Sequence, residues 1–179
     1  TETALEQRDF RTNKTVLSGD IGAEGEYFDN TYHVIYHYYN PEVDSTTVLD
    51  GVTVSDGNAN GSIWGDSGMG GGMFNYYSSP TIRNCTFENN RAIWGGGILN
   101  GYSPDEGRSE PKIVNTKISN NIAYNSGGGI YDSGAAPYLD NSVITNNSAV
   151  IAGGGIYHYA EDYVPFVSYS NTVILHSTI

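Results

Sequence analysis

Residues 125–149 read NSGGGIYDSGAAPYLDNSVITNNSA, and the chain states this sentence more than once. Residues 93–123 give IWGGGILNGYSPDEGRSEPKIVNTKISNNIA, and residues 68–92 give GMGGGMFNYYSSPTIRNCTFENNRA. Each version runs from a glycine triplet through an apolar residue and a proline to a pair of asparagines. With Pro80, Pro111, Pro137 and Pro165 in one column, Ile82, Ile113, Leu139 and Val167 follow two places later. Asn84, Asn115 and Asn141 follow the first three prolines by four places, and Phe87, Ile118 and Ile144 by seven.

Working outward, TVLSGDI places Val16 and Ser18 in the apolar and Asn columns, and TVLDGVTV places Val48 and Asp50 there. The apolar column then recurs at intervals of 26 to 34 residues, which makes about six turns of one supersecondary unit. Helical hairpin repeats hold a strict period because both helices pack on their neighbours. Here short apolar segments keep register while the connections vary in length. Segments such as PTIRNCTF and GGIYD are too short for helices and rich in β-formers. Short strands coiled into stacked turns make a β-solenoid.

The geometry of one coil follows. Ile82 and Asn84 lie on one strand face, so Phe87 reaches the interior only if parity breaks between them. Asparagine tolerates the left-handed backbone of such a corner. Stacked coils would bring Asn84, Asn115 and Asn141 to about 4.8 Å from one another, the strand spacing, where their amides form a structural ladder. The glycine triplets permit a second corner or a close approach to the next coil.

The motifs resemble the repeats of chlamydial polymorphic outer-membrane proteins, whose signatures are G-G-A-I and F-x-x-N. They are also similar to the right-handed parallel β-helix repeats of large secreted bacterial surface proteins. TVLDGVTVSDGNAN, SSPTIRNCTFENNRA and GGGMFN carry the likeness. This chain has Gly where the chlamydial motif has Ala, F-x-x-N is literal among the proline-aligned turns only at Phe87–Asn90, and Tyr169 stands in the Asn column of the last turn. The resemblance implies an all-β, right-handed parallel β-helix of pectate-lyase-like architecture, secreted or at the cell surface. It does not select a function, since that architecture hosts adhesins, passenger domains, lyases and glycoside hydrolases alike. One β-helix domain is expected over 1–179, with an irregular or short helical lead-in at 1–14 and coils from 15. The chain is expected to be part of a longer helix or of a stacked assembly.

Composition narrows the partners. The chain has 179 residues, 20 acids against 8 Lys and Arg, and a formal charge of −12. That balance opposes nucleic-acid phosphate, and no apolar run is long enough for membrane insertion. One cysteine, Cys85, leaves no internal disulfide or cysteine-based zinc site. Sequons at Asn13, Asn60, Asn84 and Asn146 are a weak glycosylation signal in an Asn-rich chain, where chance matches are expected.

The residues after the glycines form a column, Phe74, Leu99, Tyr131, Tyr157, expected to point outward if Met73, Ile98, Ile130 and Ile156 point inward. Aromatic faces in a row suit sugar rings, and plain cross-strand stacking is the competing reading. The next column, Asn75, Asn100, Asp132, His158, offers polar groups to each other or to glycan hydroxyls. Asp132 beside His158 looks like an acid–base pair, but no cleft or pKa tuning is visible to make it catalytic. Acidic loops with Asp20, Glu24, Glu26, Asp29, Asp56 and Asp66 make Ca2+ possible, though no calcium motif is matched and no cofactor is required. His33 and His37, four apart in a Tyr-rich strand, are a conceivable two-His metal pair.

The expectation is therefore an extracellular structural or adhesive rod that binds glycans, or other copies of itself through open helix ends. The alternative is a polysaccharide-processing enzyme that gathers carboxylates in a groove.

Overall fold

Among the described residues ten non-glycine residues adopt positive φ, and most of them recur at coil corners. Asn84, Asn115 and Asn141 have φ of 55°, 48° and 47°, and Asn89, Asn120 and Asn146 have φ of 60°, 57° and 55°. Asn side chains lower the cost of this left-handed backbone. Each of these residues turns the chain between two short strands. A third corner falls on Gly70, Gly95, Gly127 and Gly153, with φ of 62° to 72°. The computed structural model describes residues 7–10, 12–103, 105, 107–159 and 172–179.

Between corners the chain passes through four parallel sheets, numbered here in the order one coil meets them. In one coil these are Thr81–Arg83 in sheet 1, Thr86–Glu88 in sheet 2, Arg91–Trp94 in sheet 3 and Ile98–Ser103 in sheet 4. Each strand pairs with its counterparts one coil before and after, as Ile113 does with Ile82 and with Leu139. Sheets 1 and 2 hold five strands among the described residues, and sheet 3 holds four. Sheet 4 stacks five strands, with Gly107–Arg108 added antiparallel at the side of Ile98–Ser103. Counting Thr178, which bridges Val143, the chain visits sheet 2 six times. This is a parallel β-helix of about six coils, and no described helix is long and apolar enough to cross a membrane.

The interior is a set of stacks. Ile82, Ile113 and Leu139 come from sheet 1, Val54, Phe87, Ile118 and Ile144 from sheet 2, and Met73, Ile98 and Ile130 from sheet 4; all are buried. Among the described residues the buried apolar side chains of sheet 3 are Ala59, Ala92 and Ala123. The glycine corner is tight enough to exclude a side chain. A Cβ at Gly96 would lie 2.5 Å from the Ile122 carbonyl oxygen and 2.6 Å from that of Gly128.

Three registers differ from the sequence reading. Leu49, not Val48, pairs with Ile82, because the corner of that coil is Gly51 at φ 74° rather than Asp50. Val16 lies in sheet 2 opposite Thr53, not in the Ile82 column. Ile174 pairs with Leu139 in the last described strand, with His176 at φ 46° as its corner. Pro165, Val167 and Tyr169 lie outside the described residues.

Asn84, Asn115 and Asn141 stack at the first corner. Asn115 Nδ2 donates to Asn84 Oδ1, Asn141 Nδ2 to Asn115 Oδ1 at 3.4 Å, and Asn84 Nδ2 to Asp50 Oδ1 at 2.8 Å. A second ladder, which the sequence reading did not assign, runs inside the second corner. Asn90 and Asn121 are fully buried. Asn90 Nδ2 donates to Asn121 Oδ1 and to the Val54 carbonyl, and Asn121 Nδ2 donates to Asn147 Oδ1 and to the Phe87 carbonyl. It is the second residue of each Asn pair that goes in, after the first has turned the chain.

Candidate functional site: an aromatic hollow on sheet 4

Strand alternation sends Met73 inward and Phe74 outward, so sheet 4 shows two columns to the outside. One is Tyr36, Phe74, Leu99, Tyr131, Tyr157; the other is Tyr38, Tyr76, Gly101, Ser133, Tyr159. Rings stack along both. Tyr36 on Phe74, Tyr38 on Tyr76 and Tyr131 on Tyr157 each have centroids 5.4 Å apart. Between the two groups of rings the columns hold Leu99, Gly101 and Ser133. These short residues leave a hollow of about 310 Å³.

The hollow has aromatic walls. Tyr76 and Tyr159 stand at its ends, and Tyr131 meets Trp94 of sheet 3 edge-on at 5.4 Å. Ile63 and Trp64 arrive on residues 60–69, a ten-residue segment that stands where the next coil has only Ile93 and Trp94 before its glycine corner. The insertion is knitted by Gly61 N to the Ser67 carbonyl at 2.9 Å and Met69 N to the Asp66 carbonyl at 2.7 Å. It is pinned to the sheet by Tyr36, whose hydroxyl donates to Asp66 Oδ2 at 2.6 Å. Burial, with Asp66's hydrogen bond and charge beside it, pushes the Tyr36 phenol up to about 12. Trp94 Nε1 reaches the Ile63 carbonyl at 3.4 Å. Trp64 itself is 88% exposed beside the hollow, whereas tryptophans are highly buried on average.

The structure separates the residues expected to bind. Tyr131 lines the hollow and Tyr157 backs it. Phe74 faces outward but is only 2% exposed, roofed by the rings of Tyr36, Tyr38, Tyr76 and His33, so it presents no surface. Asn75, Asn100 and Asp132 point into the coil and are fully buried, out of reach of any glycan. They share the inward parity of Met73 two places earlier. His158 closes the same column, its Nδ1 3.8 Å from Asp132 Oδ2 and 3.2 Å from Thr172 Oγ1. Asp132 and His158 are thus neighbours at the interior end of a ladder, not an acid–base pair in a cleft.

His33 and His37 do not form a pair. His37 Nδ1 bonds Asn75 Oδ1 at 2.9 Å inside the coil, whereas His33 lies outside against Tyr36 and Phe74. Burial lowers the His33 pKa. In the acidic loops, Asp20 accepts from Gly25 N, Asp29 from Ala23 N and Asp56 from Ser55 and Ser18. Among the described residues no three His, Cys, Asp or Glu side chains converge as metal ligands would.

A second groove, of about 350 Å³, follows the first corner and is lined by the Asn84–Asn115–Asn141 ladder, Thr86, Lys14 and Lys117. Its amides are already bonded to one another. At the last described coil, Val150, Ile151, Val173, Leu175 and Ile179 are exposed. Sequence reasoning missed Trp64, Trp94, Gly101 and Ser133. The available signals were the chain's only two tryptophans, and a Gly and a Ser interrupting a tyrosine column.

A family model for the right-handed beta helix region matches residues 21–168. No curated protein and no solved structure matches the chain.

Proposed function

The chain belongs to the right-handed β-helix family, and from that premise we propose that it is a glycan-binding β-helix whose binding site is the hollow on sheet 4. The observation that carries this reading is the break in the tyrosine columns at Leu99, Gly101 and Ser133, walled by Trp64, Trp94, Tyr76, Tyr131 and Tyr159. A pyranose ring has an apolar C–H face and a rim of hydroxyls. Tyrosine and tryptophan match both, with a flat apolar body and a polar tip. The site is largely pre-formed, because its floor is hydrogen-bonded sheet, so little ordering opposes binding. The resemblance of the repeats to those of bacterial surface proteins supports an adhesive or structural role outside the cell, where polymeric glycans are met.

Cleavage of the glycan is the weaker reading, because none of the residues lining the hollow is a carboxylate or a base. Self-association is a second reading, favoured by the exposed strand Val173–Leu175 and by the exposed Val150 and Ile151. Affinity electrophoresis in gels carrying single polysaccharides tests the binding proposal. Retardation of the wild-type chain, abolished by Trp94→Ala and by Tyr131→Ala, is the expected result. Equal mobility in gels spanning neutral and acidic polymers refutes it.

A further inference from the structure

Resting on that reading, we infer that the hollow selects a neutral glycan, held as an internal run of sugar units lying across the strands, and rejects chains bearing carboxylates or sulfates. The direction comes from the lining. Tyr76, Gly101, Ser133 and Tyr159 belong to four successive strands of sheet 4. At the strand spacing the two end strands stand about 14 Å apart along the stack, with the hollow between their rings. Rings stacked at 5.4 Å in the same direction repeat at close to the length of one sugar unit. An elongated hollow built this way suits the middle of a chain.

The selectivity comes from charge. The side-chain N and O atoms in the lining belong to phenols, indoles and the Ser133 hydroxyl, none of which is a cation. The described cations are placed elsewhere. Arg8 and Arg83 hold Asp50 near the first corner. Arg91 lies over Tyr27 and Lys112 over Tyr138. Lys14 and Lys117 line the other groove, and Arg108 pairs with Glu110. A uronate seated among these rings would lose water without gaining a counter-charge. It would also approach a chain of net charge −12. A neutral sugar meets neither cost. Trp64 is placed to add a second aromatic face once the chain lies in the hollow.

Isothermal titration with hexamers tests this, using β-1,4-linked glucose, mannose, xylose and N-acetylglucosamine, oligogalacturonate, and a sulfated heparin hexamer. At least one neutral hexamer is expected to bind, with an affinity that changes less than twofold between low and high salt. It should lose at least tenfold on Trp64→Ala, an exposed loop position where folding is not at stake. The acidic hexamers should bind at least tenfold more weakly. Ser133→Lys should narrow that gap by strengthening oligogalacturonate binding. Acidic hexamers binding as tightly as neutral ones, with salt-dependent affinity, would overturn the selectivity and leave the glycan site standing. Failure of every hexamer would overturn both.

Discussion

Asn100 Nδ2 donates to Asp132 Oδ1 at 2.9 Å in the sealed interior of the coil. This is one rung of a ladder whose donors all point the same way. His37 Nδ1 bonds Asn75 Oδ1, and Asn75 Nδ2 donates to Asn100 Oδ1 at 3.0 Å. A file of one-way donors needs an acceptor at its end, and the Asp132 carboxylate provides it. Its second oxygen accepts from Thr172 Oγ1 at 3.3 Å.

The ladder's logic separates two substitutions of similar size. Asp132→Asn keeps an oxygen for Asn100 and gives its new amide Thr172 or His158 as partner. Thermal or urea unfolding should show stability held or raised. Asp132→Leu leaves the buried Asn100 amide unanswered and should cost about 1–3 kcal/mol. Equal losses from both variants would contradict the ladder.

The two asparagine ladders should differ in weight. Asn121 is buried, and its side chain bonds Asn90, Asn147 and the Phe87 carbonyl. Asn121→Ala is expected to lower stability by about 1–3 kcal/mol. Asn115 is exposed and holds φ at 48°, which glycine adopts freely. Asn115→Gly should cost far less in the same denaturation series; a reversed order would mean that the exposed ladder carries the stack.

Asp50 gives the fold an acid limit. Its carboxylate lies 2.6 Å from Arg8 Nη2 and 3.1 Å from Arg83 Nη2. Partial burial works to raise its pKa, but the Asn84 hydrogen bond and the two guanidinium groups outweigh it and hold it below the usual value. A depressed carboxyl adds stability that is fully present above the unfolded value, about 3.9, and is lost as pH falls through the lower folded value. Wild type should therefore melt above Asp50→Asn at pH 7, with the gap closing toward pH 2. A gap independent of pH would contradict this.

Cys85 should be inert in the folded chain. It is 3% exposed, its Sγ donates to the Arg83 carbonyl at 3.1 Å, and burial raises its pKa. Thiol reagents at pH 8 should label it only after denaturant is added. Thr116 and Ser142 take the same place in the next coils, each donating to the carbonyl two residues back. Cys85→Ser is accordingly expected to change stability by less than about 1 kcal/mol. Rapid labelling of native protein would show the corner to be open.

Much of the coil was legible because one residue type does one job. Asn tolerates positive φ, so a column of Asn at uneven spacing marked the first corner. Where Gly51 or His176 does that job instead, the column loses its marker, and the spacing points to Val48 where Leu49 stands. The inward position of Asn75 followed from its spacing to Met73. Its polarity concealed that, because a buried amide makes sense only when the amides of adjacent coils stand above and below it. The hollow was illegible for a different reason. It depends on what is missing from the tyrosine columns at Gly101 and Ser133, and on a folded insertion that brings Trp64 to that gap.

The most direct test of the glycan site is a titration followed by amide and indole NMR shifts, using the neutral hexamer that binds best. The account predicts that shifts concentrate at Leu99, Gly101, Ser133 and the Trp64 indole, and that the Asn84–Asn115–Asn141 groove stays still. Shifts confined to that groove, or none at saturating sugar, would contradict it.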